Sequence, residues 1–127
     1  MTTILPRILC IDDNRDVADS TADLLGVWGY TARACYDGPS AIALAAVFVP
    51  CICLIDLHMP GMDGDEVALL LRAIKRSVVL LAVTAMANEV SCDRIKLAGF
   101  DLHLVKPVAP HRLIAAIESF AQARETA

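Results

Sequence analysis

Five short apolar runs, each cut off by polar residues, set the rhythm of this chain. Arg7-Ile8-Leu9-Cys10-Ile11 stops at Asp12-Asp13-Asn14, Cys51 to Ile55 runs into Asp56, and Val78 to Val83 ends at Thr84-Ala85. Leu102 to Val105 ends at Lys106-Pro107, and Tyr30 to Cys35 alternates polar with apolar positions. The first three of these runs predict strands buried on both faces, as in a parallel sheet, and Leu102 to Val105 predicts a further strand. The period-2 alternation of Tyr30 to Cys35 predicts a half-exposed edge strand.

The intervening segments carry helical spacing. After Asn14, a good N-cap, apolar positions fall at Val17, Ala18, Thr21, Leu24, Leu25 and Trp28, with Asp16 and Asp19 near the first turn and Gly29 as the stop. Asp37-Gly38-Pro39 opens an Ala-rich helix to about Phe48, closed by Pro50. Asp63 or Gly64 opens a third, to about Arg76, with Val67, Leu70, Leu71 and Ile74 on one face. A fourth covers about Asn88 to Ala98 and stops at Gly99, and Pro110 opens a last one to about Arg124. Strands alternating with helices predict an α/β fold, a flavodoxin-like (βα)5 three-layer sandwich. Right-handed crossovers favour a parallel sheet of order 2-1-3-4-5, whose topological switch lies between the first and third strands. With no linker, low-complexity tract or repeat, residues 1–127 read as a single domain.

Composition narrows the class. The chain is 57% hydrophobic but only 5% aromatic, so its core is aliphatic. A net charge of −4 and a pI of about 5.2 argue against direct binding of nucleic acid through a basic surface. Apolar stretches break well before the ~18–20 residues of a membrane span, and Met1 to Pro6 lacks the pattern of an export signal. Five cysteines without a Cys-x-x-Cys give no disulfide framework or zinc site; Cys10, Cys51 and Cys53 read as small core residues. A cytoplasmic location is expected.

The chemistry collects at the strand ends. Parallel strands point their C-terminal ends the same way, so Asp12, Asp13, Asp56, Thr84 and Lys106 should converge on one edge. Three carboxylates alone would repel, and one would have to keep a proton. A divalent cation resolves this, and hard oxygen ligands suit Mg²⁺. With Lys106 as a fixed positive charge, the edge becomes a site for a dianionic phosphoryl group. Helix capping accounts for Asp13 or Asp56 singly, but not for Thr84 and Lys106 as well. A structural salt bridge between Lys106 and one aspartate is the competing plain reading.

These residues resemble a known family. The Asp12-Asp13 pair, Asp56 with Met59-Pro60-x-Met62-Asp63-Gly64, Thr84-Ala85, Gly99 and Lys106-Pro107 look like the receiver domain of two-component response regulators, over essentially the whole chain. The resemblance implies that Asp56 is the phosphoacceptor, fed by the phosphohistidine of a histidine kinase or a histidine phosphotransfer protein. It implies that Asp13 and Asp56 bind Mg²⁺ directly, with Asp12 acting through water and the His58 backbone carbonyl as a further ligand. Thr84 and the Ala85 amide would bind phosphoryl oxygens, and Lys106 would pair with another. Thr84 following the charge inward would switch the face of the fourth helix, fifth strand and last helix for an output protein of unknown identity. Such a chain is a switch that assists its own phosphorylation and dephosphorylation, not an enzyme acting on metabolites.

Two departures stand out. His103 occupies the coupling position, three before Lys106, where the family usually has Tyr or Phe. His58 and Met86 stand at variable positions that flank the path of the attacking water and affect phosphoryl lifetime. The side chains of His58, His103 and His111 are not expected to ligate metal.

The context stays open among a free single-domain regulator, a phosphorelay shuttle and a receiver cut from a hybrid kinase. A haloacid-dehalogenase-like phosphohydrolase also uses a strand-end aspartate and Mg²⁺, but needs a second carboxylate where this chain has His58. A flavin or nucleotide module would want a Gly-rich loop after the first strand, which is absent. A pseudo-receiver is disfavoured because every acceptor-site residue is present.

Overall fold

The apolar runs become five parallel strands, and their register decides where the chemistry lies. In the computed structural model, which describes residues 6–85 and 88–126, the elements are β1 (Arg7–Ile11), α1 (Arg15–Val27), β2 (Thr31–Cys35), α2 (Gly38–Phe48), β3 (Ile52–Asp56), α3 (Gly64–Ile74), β4 (Val79–Thr84), α4 (Glu89–Ala98), β5 (Leu102–Val105) and α5 (Pro110–Thr126). The sheet order is β2-β1-β3-β4-β5, with every neighbouring pair parallel. Ile11 pairs with Ile55, Asp56 with Val83, and Thr84 with Val105. The residues after these positions therefore leave the sheet at one edge.

Side chains alternate across the sheet and build two cores. Leu9, Ile11, Cys53, Ile55 and Leu80 pack with Ala41 and Ala45 of α2, Val67 and Leu71 of α3, and Ala98 of α4. Ile8, Cys10, Leu54, Leu81 and Leu104 pack with Leu25 of α1 and Leu113, Ile114 and Ile117 of α5. The three-layer sandwich follows, with α1 and α5 on one face and α2, α3 and α4 on the other. β3 lies mid-sheet and all five of its residues are buried, while β2 at the edge alternates as its sequence does.

The cysteines behave as core residues: Cys10, Cys35, Cys51 and Cys53 are buried free thiols. Burial, with a smaller contribution from Cys35, pushes the Cys10 thiol up to about 12, which keeps it protonated and inert.

Caps fall where the sequence puts them. Asn14, Asp37 and Asn88 accept from the backbone N–H three residues on, in Val17, Ser40 and Ser91. Two faces differ from expectation. The inward face of α3 is Gly64, Val67, Ala68 and Leu71, and Leu70 and Ile74 are exposed. On α1, Ala18 and Leu25 are buried, but the helix ends at Val27, and Trp28 is left 53% exposed as its C-cap.

The opposite, N-terminal edge of the sheet is tied by side chains bonding to backbone. Arg7 Nε donates to the Phe48 carbonyl at 2.8 Å, and its Nη2 donates to that of Val49, also at 2.8 Å. These bonds close the end of α2, where Val49 takes a left-handed φ of 49°. Asp101 Oδ2 accepts from the Leu80 N–H at 2.8 Å, and Arg72 Nη2 donates to the Gly99 carbonyl at 2.8 Å.

Candidate functional site

Asp12 follows β1 and Asp56 ends β3, and the crossing-over of the chain between those strands brings them together. Both are buried, whereas Asp13 is exposed beside them. A carboxylate oxygen from each of the three lies within 4.8 Å of the others. Asp12 is fixed from two sides: Oδ1 accepts from the Asn14 N–H at 2.9 Å, and Oδ2 accepts from Lys106 Nζ at 2.8 Å. Lys106 Nζ is also 3.5 Å from Asp56 Oδ1, so one ammonium serves two buried carboxylates. Asp56 Oδ1 further accepts from the His58 N–H at 3.4 Å.

The plain reading of Lys106 as a salt-bridging residue is thus realised, chiefly with Asp12. It does not neutralise the cluster: three carboxylates face one ammonium. Burial raises the Asp56 pKa most, the Asp12 charge next, and the Asp13 side chain also; Lys106 and the His58 amide only partly oppose them, leaving it at about 7. On Lys106, burial works against the charged form, but the bond to Asp12 and the charges of Asp56 and Asp12 outweigh it and raise the pKa. A crowded set of hard oxygen atoms with excess negative charge fits a divalent cation such as Mg²⁺.

Thr84 is fully buried at the end of β4, and Ala85 is exposed just beyond it. The Lys106 N–H donates to the Thr84 carbonyl at 2.8 Å, which ties the β5 end to the β4 end. The Lys106–Pro107 peptide is cis. His103 is set apart from this group: it is exposed on β5 opposite Ala82, two positions short of the Thr84 partner Val105. His111 is exposed on α5. Met86 lies outside the described residues.

The loop from Leu57 to Asp63 is closed by backbone and side-chain bonds. The Gly64 N–H donates to the Leu57 carbonyl at 2.9 Å. A Cβ at Gly64 would run into the Asp56 carbonyl oxygen and lie 2.8 Å from Leu57 Cα, so only glycine allows α3 to start against the end of β3. Asp63 makes no side-chain cap to α3; its Oδ1 instead accepts from the Met59 N–H at 3.4 Å. An apolar cleft of about 640 Å³ opens beside the carboxylates, between Val17 and Leu24 of α1, Leu54 and Val83 of the sheet, and Val108 and Leu113.

One participant has no signal in the sequence. Arg94 on α4 reaches back to the start of α3, with Nη2 2.8 Å from Asp65 Oδ1 and Nε 3.2 Å from Asp65 Oδ2. Its Nη2 is 3.5 Å from Asp63 Oδ2, and its Nη1 is 3.4 Å from His58 Nδ1, which must accept because a guanidinium only donates. The Arg94 bonds hold the Asp65 carboxyl below the usual carboxylate range.

Residues 8–118 match the response regulator receiver domain. The chain belongs to that family. Among curated relatives, the sensory transduction protein RegX3 of Mycolicibacterium smegmatis is 36% identical over 119 residues, which cover 91% of this chain and 50% of the relative. The DNA-binding response regulator MtrA of Mycobacterium tuberculosis is 30% identical over 94% of this chain and 52% of its own. The receiver spans about half the length of these relatives. Among solved structures, a CheY-like response regulator receiver domain protein from Methanospirillum hungatei superimposes with a TM-score of 0.90 at 26% identity, over 96% of this chain and 98% of that one. Chemotaxis protein CheY4 of Vibrio cholerae gives 0.86 over 91% and 98%, at 24% identity, and speaks for the fold alone. The haloacid-dehalogenase alternative is not favoured. No helix among the described residues is long and apolar enough to cross a membrane.

Proposed function

We propose that this receiver is a phosphorylation-controlled binding switch whose acceptor is Asp56. The observation that carries the reading is the sharing of one ammonium, Lys106, between two buried carboxylates at 2.8 and 3.5 Å, with a third carboxylate alongside. That arrangement is short of positive charge at rest and has a cation beside Asp56 to meet an incoming anion. The donor is the phosphohistidine of a histidine kinase or histidine phosphotransfer protein. An Asp56 carboxylate oxygen attacks phosphorus, the P–N bond breaks, and the imidazole leaves with the electron pair. Phosphoryl transfer asks mainly for positioning and charge neutralisation. Lys106 turns from Asp12 toward the new phosphoryl oxygens, and the Thr84 hydroxyl and Ala85 amide take the others. Asp13, Asp56 and the His58 carbonyl, with Asp12 through water, would hold Mg²⁺, which would supply positive charge against that of the carboxylates and the phosphoryl group.

The output is a change of surface. Because the Lys106 N–H is bonded to the Thr84 carbonyl, movement of Thr84 is felt at the end of β5 as well as in the segment leading to α4. Val90, Leu97, Leu102 and Val105 already expose apolar side chains on α4 and β5, a surface suited to an output protein. His103 lies on the same strand and in its exposed pose. Hydrolysis of the aspartyl phosphate by the receiver itself resets the switch, in the cytoplasm. Intact-mass measurement after treatment with acetyl phosphate and Mg²⁺ is expected to show one added phosphoryl group on the wild type and none on Asp56→Asn. Labelling of that variant would reassign the acceptor.

A further inference from the structure

α4 sits beside the site on a small apolar contact. Among its described residues only Ser91, Ile95 and Ala98 are buried, whereas Val90 and Leu97 are 70% and 85% exposed. Its apolar hold near the site is Ile95 against Leu57, Ala82 and Phe100. The polar hold is far more specific. Arg94 places two nitrogens on the two oxygens of Asp65, at 2.8 and 3.2 Å, and the same guanidinium faces Asp63 and His58. A planar fork on a carboxylate fixes orientation as well as distance. Its partners all belong to the segment that begins at the acceptor strand: His58 is two residues beyond Asp56, and Asp63 and Asp65 bracket Gly64, which is packed on the Asp56 backbone.

From this geometry we propose that Arg94 is a latch, which clips α4 onto the loop after β3 and holds the switch in its resting arrangement. The inference rests on the reading of Asp56 as acceptor. The segment that joins β4 to α4 begins at Thr84 and Ala85, so drawing Thr84 toward a phosphoryl group pulls on α4 against this clip. Activation then includes release of the fork from Asp65, and the strength of the fork sets how much of the charge-driven energy is needed for the change. The fork is only partly screened, at 25% and 29% side-chain exposure.

The test uses fluoroberyllate with Mg²⁺ as a stable phosphoryl mimic and follows α4 amide signals by NMR. Arg94→Gln and Asp65→Asn are each expected to lower the fluoroberyllate concentration at the midpoint by roughly three- to tenfold, the scale of one half-exposed charge-assisted fork. The double variant should shift no further than Arg94→Gln alone. The two substitutions change local charge in opposite directions, so opposite shifts would show plain electrostatics and overturn the latch. Unchanged midpoints in both, with wild type responding, overturn it also. A wild type that takes up no fluoroberyllate removes the acceptor reading itself and the latch with it.

Discussion

Asp56→Asn in the metal-free protein probes the electrostatics of the site without any phosphodonor. The Asp56 side chain is only 8% exposed and its pKa stands at about 7, against an ordinary 3.8. Because the folded-state value is the higher one, native Asp56 holds a proton that the unfolded chain has lost between about pH 4 and 7. Stability from this group is therefore fully present below about pH 4 and is lost as pH rises through 7. The rise from 3.8 to about 7, at about 1.4 kcal/mol per pH unit, amounts to about 4 kcal/mol. Relaxation and water entry reduce it, so a gain of about 2–4 kcal/mol is expected for the variant at pH 8. At pH 4 the two proteins should agree within about 1 kcal/mol, since an amide and a protonated carboxyl are nearly isosteric. Urea unfolding in EDTA at pH 4, 6 and 8 measures the gap, and every other titrating group is common to both proteins. Equal stability at pH 8, or a gap that widens toward acid, would refute the reasoning.

Three further outcomes follow from the same geometry. Lys106→Ala leaves two buried carboxylates without their ammonium and should cost about 2 kcal/mol at pH 8 and less at pH 4; a pH-independent loss in urea unfolding contradicts this. Gly64→Ala drives a Cβ into backbone at the end of β3 and should cost about 3 kcal/mol by thermal unfolding, so an unchanged melting temperature would be decisive against the close approach. Mg²⁺ should raise the wild-type melting temperature by binding the native carboxylates; in Asp13→Ala, folded by circular dichroism, its affinity should fall at least about tenfold, and an undiminished response would remove Asp13 from the site.

The strands, the sheet order and the gathering of Asp12, Asp13, Asp56, Thr84 and Lys106 were all legible in the sequence, because period and strand-end position are local signals that parallel topology converts into convergence. Three kinds of feature were not. The α3 face departs from the pattern of its large apolar residues, because the sheet takes the small Ala68 and leaves Leu70 and Ile74 outside. Trp28 follows helical spacing, yet the helix stops at Val27 and cannot carry it inward. Arg94 meets residues 29 and 36 positions away, and nothing in the pattern of a polar helix face distinguishes a clip from an ordinary solvated arginine.

The side-chain ties at the N-terminal edge give the sheet the mechanics of a plate bolted along one rim. Arg7 pins the end of α2, Asp101 pins the start of β4, and Arg72 joins the end of α4 to the end of α3. Along the other rim, the ionisable groups Asp12, Asp56 and Lys106 hold one another, and such bonds change when charge arrives. On the proposed reading of Asp56, a deflection produced there would be resisted at the bolted side and taken up by the loops and the ends of α4 and β5. Under that proposal the fold would act as a lever with a fixed fulcrum, in which a disturbance a few atoms wide becomes a displacement of the surface.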